Sequence, residues 1–219
     1  MFRIICILIG YVFGMFQTSY FYGKVKGIDI REHGSGNAGT TNTLRTLGKK
    51  AGLIVFAVDI LKCMIAVFIC YAIFKNQYPE SAYLIKLYAG FGTILGHNFP
   101  VYLKFKGGKG MACTAGLMFS FDPWFTLVGL IVFFGIFFTT HYVSLGSLMV
   151  YPYILIMEII LGINGYFAFK CGCTTPILVE MCILTAVLLV LTTFMHRTNI
   201  QRLLTHSERK TYLTKKNKE

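Results

Sequence analysis

The chain has 219 residues, of which 55% are hydrophobic and only 14% charged, with a net charge of +12. Soluble domains hold about 45–50% apolar and about 25% charged residues, so a water-soluble fold is excluded as the working reading. The basic balance points to anionic lipid headgroups or phosphorylated small molecules as partners, and the lack of any soluble binding module argues against nucleic acid.

Taken in chain order, apolar segments fall at 4–22, 51–74, 82–103, 110–121, 123–140, 142–163 and 174–195. A membrane-crossing helix needs roughly 20 residues, fewer where it is broken or held inside a bundle. The first segment lacks an Ala-x-Ala-like cleavage site and runs into a basic loop, so it reads as a retained span. Segment 110–121 is short, and "SFDPWF" could join it to 123–140 as one kinked element, giving six spans. Asp122-Pro123 is a turn signal, which favours two helices and seven spans.

Lysine and arginine settle an expected orientation, because positive loops stay cytoplasmic. With seven spans, one side carries sixteen of the 21 basic residues and the other only Arg3, Lys75 and Lys170. The expectation is an all-α, polytopic membrane bundle with seven transmembrane helices, its N-terminus outside and its C-terminus cytoplasmic. Residues 1–219 read as a single domain with a basic tail at 209–219. The seven cysteines are scattered without metal-ligand spacing, so no metal site is expected.

Three polar clusters map to the basic side. The first, "REHGSGNAGTTNTLR" (Arg31 to Arg45), supplies glycines for close backbone approach and Ser35, Asn37, Thr40, Thr41 and Asn42 for hydrogen bonding. A helix starting near Ala38 to Thr41 would offer N–H groups to an anion, with Arg45 one turn on. A capped interfacial helix after a loop fits the same pattern. In the second, "GHNFPVYLKFKGGKGMA", Lys106, Gly107, Gly108, Lys109 and Gly110 bring two ammonium groups to a glycine-rich turn before another helix. Its spacing is not that of a nucleotide-binding P-loop, and a positive-inside stop signal is the plainer alternative. In the third, "HRTNIQRLLTHSE", His196 and Asn199 share a helix face, although a juxtamembrane amphipathic helix explains it equally. "YVSLGS" adds Ser147 at the start of a span. Asp59 and Lys62, three apart inside a span, are expected to pair, and His97 reads as a hydrogen-bonded structural histidine.

Together the clusters resemble the bacterial acyl-phosphate:glycerol-3-phosphate acyltransferases of PlsY type, whose pattern is similar to GSGNxGxTNxxR, GHxFPVxxxFKGGKG and HxxNIxRLxxGxE. The likeness spans about residues 23–208. It departs at Thr40, where Ala is usual, at Cys63 in place of Gly, and at His206, which replaces a turn glycine. The resemblance implies transfer of a fatty acyl group from acyl phosphate to the 1-hydroxyl of glycerol 3-phosphate, giving lysophosphatidic acid and phosphate at the cytoplasmic face of the cell membrane. It implies substrate-phosphate contacts from Ser35, Arg45, Lys106, Lys109, Ser147, His196 and Asn199, with the backbone of Gly107, Gly108 and Gly110 closing round phosphate, in one shared pocket. Catalytic roles fall to His196, Asn199 and Ser35, and structural ones to Asn42 and Glu208. No cofactor is expected. Membrane lipids and a soluble acyl-phosphate-producing acyltransferase are the implied partners.

No histidine is followed by aspartate five residues on, the His-x4-Asp spacing of many glycerolipid acyltransferases. The hydroxyl proton therefore goes either to His196 or to the substrate's own phosphate, the latter favoured because a histidine among cations resists protonation. A transporter of phosphorylated metabolites is the rival reading, but it calls for mid-membrane ligands and internal repeats.

Overall fold

The computed structural model describes residues 1–212, and those residues contain helices and turns but no strands. Residues 213–219, most of the basic tail, lie outside the described residues. The chain forms two compact units that divide after Phe121.

The first unit holds α1 (Phe2–Met15), α2 (Thr18–Val25), α3 (Thr40–Leu47), α4 (Lys49–Phe74), α5 (Ala82–Asn98) and α6 (Met111–Phe121). α1 packs along α5, and both pack on α4, which also carries α6 and α3. The α1–α5 contact is made by glycine. Gly10 and Gly14 on α1 face the backbone of Ala89 and Thr93, while Gly92 and Gly96 on α5 face the backbone of Ile7 and Tyr11. A β-carbon at any of the four would overlap a carbonyl oxygen. Within lipid, helices gain little from the hydrophobic effect and associate instead by such close packing at small residues four apart.

The first apolar segment is not one straight helix. It breaks at Phe16–Gln17, and the break leaves carbonyls without intrahelical donors. Lys62 of α4 fills them: its Nζ donates to the carbonyls of Phe16 at 2.7 Å and Gly14 at 3.2 Å. The same ammonium lies 2.8 Å from Asp59 Oδ1 and 3.0 Å from His97 Nδ1. Thr18, at the start of α2, donates its hydroxyl to Asp59 Oδ1 at 2.9 Å. The expected Asp59–Lys62 pair exists, and it also holds the break together.

The second unit holds α7 (Pro123–Thr140), α8 (Val143–Ile163), α9 (Tyr166–Cys171), α10 (Thr175–Met195) and α11 (Arg197–Leu204). Asp122 caps α7, accepting from the Trp124 amide at 2.9 Å, and Pro123 opens that helix, so α6 and α7 are separate helices. α8 packs between α7 and α10, where Thr185 donates to buried Glu158 at 3.0 Å.

Among the described residues five stretches are long and apolar enough to cross a membrane: Phe2–Val25, Lys49–Phe74, Pro123–Thr140, Val143–Ile163 and Thr175–Met195. The other two apolar segments form shorter helices, α5 with 17 residues and α6 with 11. The sequence segment 82–103 is longer than its helix because Pro100 ends α5, and Val101–Leu103 make a separate short turn.

Replacing Gly96 by Val tests the glycine contact. The added carbons meet backbone rather than flexible side chain, so the variant should be destabilised by at least ~2 kcal/mol. The melting midpoint in detergent should fall by several degrees, whereas Gly135→Ala, inside α7 with nothing within 4 Å, should not lower it.

Candidate active site

The first polar cluster is a loop folded back on α3 by one side chain. Asn42 is buried; its Nδ2 donates to the carbonyls of Ile30 at 3.1 Å and His33 at 3.0 Å, and its Oδ1 accepts from the Ser35 amide at 2.9 Å. Gly34 adopts φ 61° and sits where a β-carbon would overlap Asn42 Oδ1. At the loop entrance Arg31 makes a two-pronged contact with Asp29, Nε at 3.0 Å and Nη2 at 2.7 Å. That hydrogen bonding holds the Asp29 carboxyl well below its usual range, at about 2. Ser35 is left exposed on the loop, and Arg45 stands half-buried in the last turn of α3.

The second cluster leaves α5 at Asn98 and returns to it. The amides of Gly107 and Gly108 donate to the carbonyls of Asn98 at 3.1 Å and His97 at 3.0 Å. Those two N–H groups are therefore committed to the end of α5, and their glycines serve close approach. A β-carbon at Gly108 would overlap His97 Nε2 and come within 2.8 Å of the Ala38 carbonyl. Gly108 is thus where the first and second clusters meet. Lys106 is exposed and Lys109 half-buried, and Gly110, at φ 77°, turns the chain into the first residues of α6.

The third cluster belongs to the second unit and is organised by Glu208. Its Oε1 accepts from Asn199 Nδ2 at 2.6 Å and Ser144 Oγ at 2.8 Å, and its Oε2 from Arg202 Nε at 2.6 Å. Its side chain is 5% exposed. Burial opposes ionisation, but hydrogen bonds from Arg202, Asn199 and Ser144 outweigh it and hold the carboxyl below its ordinary range. His196 is buried at the end of α10, its Nδ1 2.9 Å from the Thr192 carbonyl. Ser147 is buried and donates to the Val143 carbonyl one turn back, at 2.9 Å.

His206, which stands where a turn glycine was expected, keeps the turn. It adopts φ 53°, its amide donates to Leu203, and the next amide, Ser207, donates to Arg202 at 2.8 Å, the bond pattern that ends a helix at a left-handed residue. Beyond it, the Thr211 amide donates to the His141 carbonyl at 2.9 Å and Tyr212 lies against the His141 ring, which ties the start of the tail to the α7–α8 turn.

The first unit therefore holds Ser35, Asn42, Arg45, Lys106, Gly107, Gly108, Lys109 and Gly110, and the second Ser147, His196, Asn199 and Glu208. Among the described residues no three His, Cys, Asp or Glu side chains come together as metal ligands would. The sequence reading gave Lys62 a partner but missed its two carbonyl contacts and His97, although an ionisable residue in an apolar run was the available signal.

The glycerol-3-phosphate acyltransferase family model matches residues 4–206. This chain belongs to the glycerol-3-phosphate acyltransferase family. It is 36% identical to glycerol-3-phosphate acyltransferase 2 of Bacillus cereus (strain ATCC 10987 / NRS 248), covering 96% of each chain. It is 39% identical to the glycerol-3-phosphate acyltransferase of Mycoplasmopsis agalactiae, over 93% of this chain and 91% of that one. Among solved structures it is similar to PlsY (YgiH), described as an integral membrane glycerol 3-phosphate acyltransferase, in its glycerol 3-phosphate form. The TM-score is 0.77 at 32% identity, and 96% of each chain is covered. A lysophosphatidic acid form of PlsY matches equally well. With its long apolar helices, this acyltransferase-family chain is a multi-pass membrane protein.

Two predictions follow from the third cluster's geometry. His206→Gly removes the left-handed penalty on a non-glycine residue, about 1–2 kcal/mol, less what glycine returns to the unfolded chain, so the melting midpoint should rise by a few degrees. Because folding lowers the Glu208 pKa, its stabilising contribution is complete above the unfolded carboxyl value of about 4.3 and is lost as pH falls through the folded one. The difference in melting midpoint between wild type and Glu208→Gln should accordingly be largest above about pH 5 and shrink below pH 4.

Proposed function

We propose that this chain, acting as one integral-membrane acyltransferase domain, moves a fatty acyl group from acyl phosphate to the 1-hydroxyl of glycerol 3-phosphate, releasing lysophosphatidic acid and inorganic phosphate for phospholipid synthesis. The observation that carries the reading is the meeting of the Ser35–Arg45 and Lys106–Gly110 stretches at Ala38 and Gly108. It gathers basic and glycine-rich segments that suit a phosphate group, in a chain matched to glycerol-3-phosphate acyltransferases over residues 4–206. In the proposed arrangement Arg45, Lys106 and Lys109 supply positive charge to phosphate oxygens, Ser35 a hydroxyl, and Gly110 the amides that open α6. Gly107 and Gly108, their amides engaged by α5, give the loop its tight return.

In the transfer step the 1-hydroxyl oxygen bonds to the acyl carbonyl carbon, the carbon–oxygen bond to phosphate breaks, and the hydroxyl loses its proton. Acyl phosphate is already activated, so alignment and charge stabilisation carry most of the catalysis. His196 bears on the proton. A carbonyl only accepts, so Nδ1 must donate to Thr192, and in the neutral ring the lone pair then lies on Nε2. That tautomer suits His196 as an acceptor of the hydroxyl proton, alongside the substrate phosphate. Asn199 and Ser147 are proposed to position substrate oxygens beside it.

The proposed setting is seven spans, with α5 and α6 as the short ones, the N-terminus outside, and the polar clusters and C-terminus at the cytoplasmic face of the cell membrane. Lipids and a soluble enzyme that makes acyl phosphate complete the proposed partners. Export or import of phosphorylated metabolites draws less support, since the family match is to acyltransferases.

Purified protein in lipid, given acyl phosphate and labelled glycerol 3-phosphate, should produce labelled lysophosphatidic acid. A folded preparation that produces none overturns the reading. Lys109→Ala and Arg45→Ala should each raise KM tenfold or more by weakening phosphate binding. His196→Gln should lower kcat by roughly a hundredfold or more, as expected for loss of a general base; near-normal turnover would instead assign the proton to the substrate phosphate.

A further inference from the structure

His97 touches both the buried ion cluster and the glycine loop. On one side its Nδ1 lies 3.0 Å from Lys62 Nζ. With the ammonium donating, Nδ1 is the acceptor and the ring proton sits on Nε2. That Nε2 faces Gly108 so closely that no β-carbon fits between them. The His97 carbonyl accepts from the Gly108 amide at 3.0 Å and from Gln17 Nε2 at 2.8 Å, so residues on both sides of the ring fix its backbone. Lys62, Asp59 and His97 are 5%, 1% and 3% exposed, and each is held by more than one partner.

We infer that Lys62, Asp59 and His97 are positioning residues for substrate binding: the ammonium fixes the His97 ring, and the ring sets where Gly108, and with it Lys109, stands against Ala38. The inference rests on the transferase reading above and adds to it residues that touch no substrate. The charge inside the membrane-spanning bundle thereby has a purpose beyond mending the α1–α2 break. A neutral, well-packed cluster of similar size would fill the same space, but it would offer nothing to orient an imidazole.

The test separates support of the fold from positioning of the loop. His97→Asn keeps an acceptor for Lys62, since Asn Oδ1 stands near the place of Nδ1, and withdraws the atoms that touch Gly108. It should keep its melting midpoint within a few degrees of wild type, raise KM for glycerol 3-phosphate tenfold or more, and change kcat by less than threefold. Gly108→Ala should cost activity in wild type and cost distinctly less in the His97→Asn background, because both changes act on one contact. If His97→Asn does not fold, Gln17→Met removes only the amide on the His97 carbonyl and should raise the same KM about threefold. Lys62→Met, measured on its folded fraction, should raise KM in the same sense. An unchanged KM in the folded variants, with effects confined to yield or melting midpoint, overturns the inference. So does full additivity of His97→Asn and Gly108→Ala. Wild-type turnover is the control: its absence counts against the transferase reading, whereas a wild-type KM in active variants counts against the positioning role alone.

Discussion

An ammonium group buried between helices is the constraint on which the first unit depends. Removing a charge from water costs several kcal/mol even after relaxation, and the cost is met only if the charge finds acceptors on every side. Lys62 has three protons and four acceptors around it: the Gly14 and Phe16 carbonyls, Asp59 and His97. The dependence runs both ways. A helix broken within a membrane span leaves backbone groups that need partners, and at Phe16–Gln17 Lys62 takes the Gly14 and Phe16 carbonyls while the Tyr102 hydroxyl donates to the Met15 carbonyl and accepts from the Gln17 amide. Asp59 neutralises the charge and takes the Thr18 hydroxyl, which fixes the start of α2. The break redirects the chain towards the Arg31–Arg45 loop, so the path into the first polar cluster begins at this ion.

The glycines of α1 and α5 make the arrangement geometrically possible. Lysine spans a limited distance, and its contacts to α1 carbonyls and to His97 of α5 require those two helices to lie against each other at backbone distance. Gly14 and Gly96 hold that distance at the same level as the ammonium. A larger residue at either position would push α1 away from α5 and stretch the Lys62 contacts, coupling packing to electrostatics. That is a reason for four small residues on facing helices that neither composition nor hydropathy announces.

Much of this was legible in the sequence, and the remainder was hidden for identifiable reasons. Apolar runs marked every long helix, Asp122-Pro123 marked the boundary between α6 and α7, and the start of α3 followed from the "GNAGTT" pattern. Asn42 and Glu208 are the hydrogen-bond centres of their clusters, contacts that the sequence does not show. Hydropathy overran α5 because Val101 and Leu103 are apolar whether or not Pro100 stops the helix. The Gly107 and Gly108 amides looked available for phosphate because a sequence does not show that a loop doubles back on the helix it has just left. The paired glycines of α1 and α5 lie more than 75 positions apart and became meaningful only once the helices were seen to touch.

Each unit is organised round one saturated ion of opposite sign. Lys62 collects acceptors, and Glu208 collects donors from Ser144, Asn199 and Arg202. Neither is suited to direct chemistry, because a group whose lone pairs or protons are all engaged must break contacts before it can engage a substrate. Each adjoins residues that are suited to it. Glu208 holds the Asn199 amide one helical turn beyond His196, and Lys62 holds the ring that abuts Gly108, next to Lys109. Placing the fixed charge one contact behind the working residues lets those residues be exact in position without themselves bearing the cost of a buried ion. It also predicts a hierarchy of damage: loss of an organising ion displaces several working groups together, while loss of a working group leaves the scaffold standing.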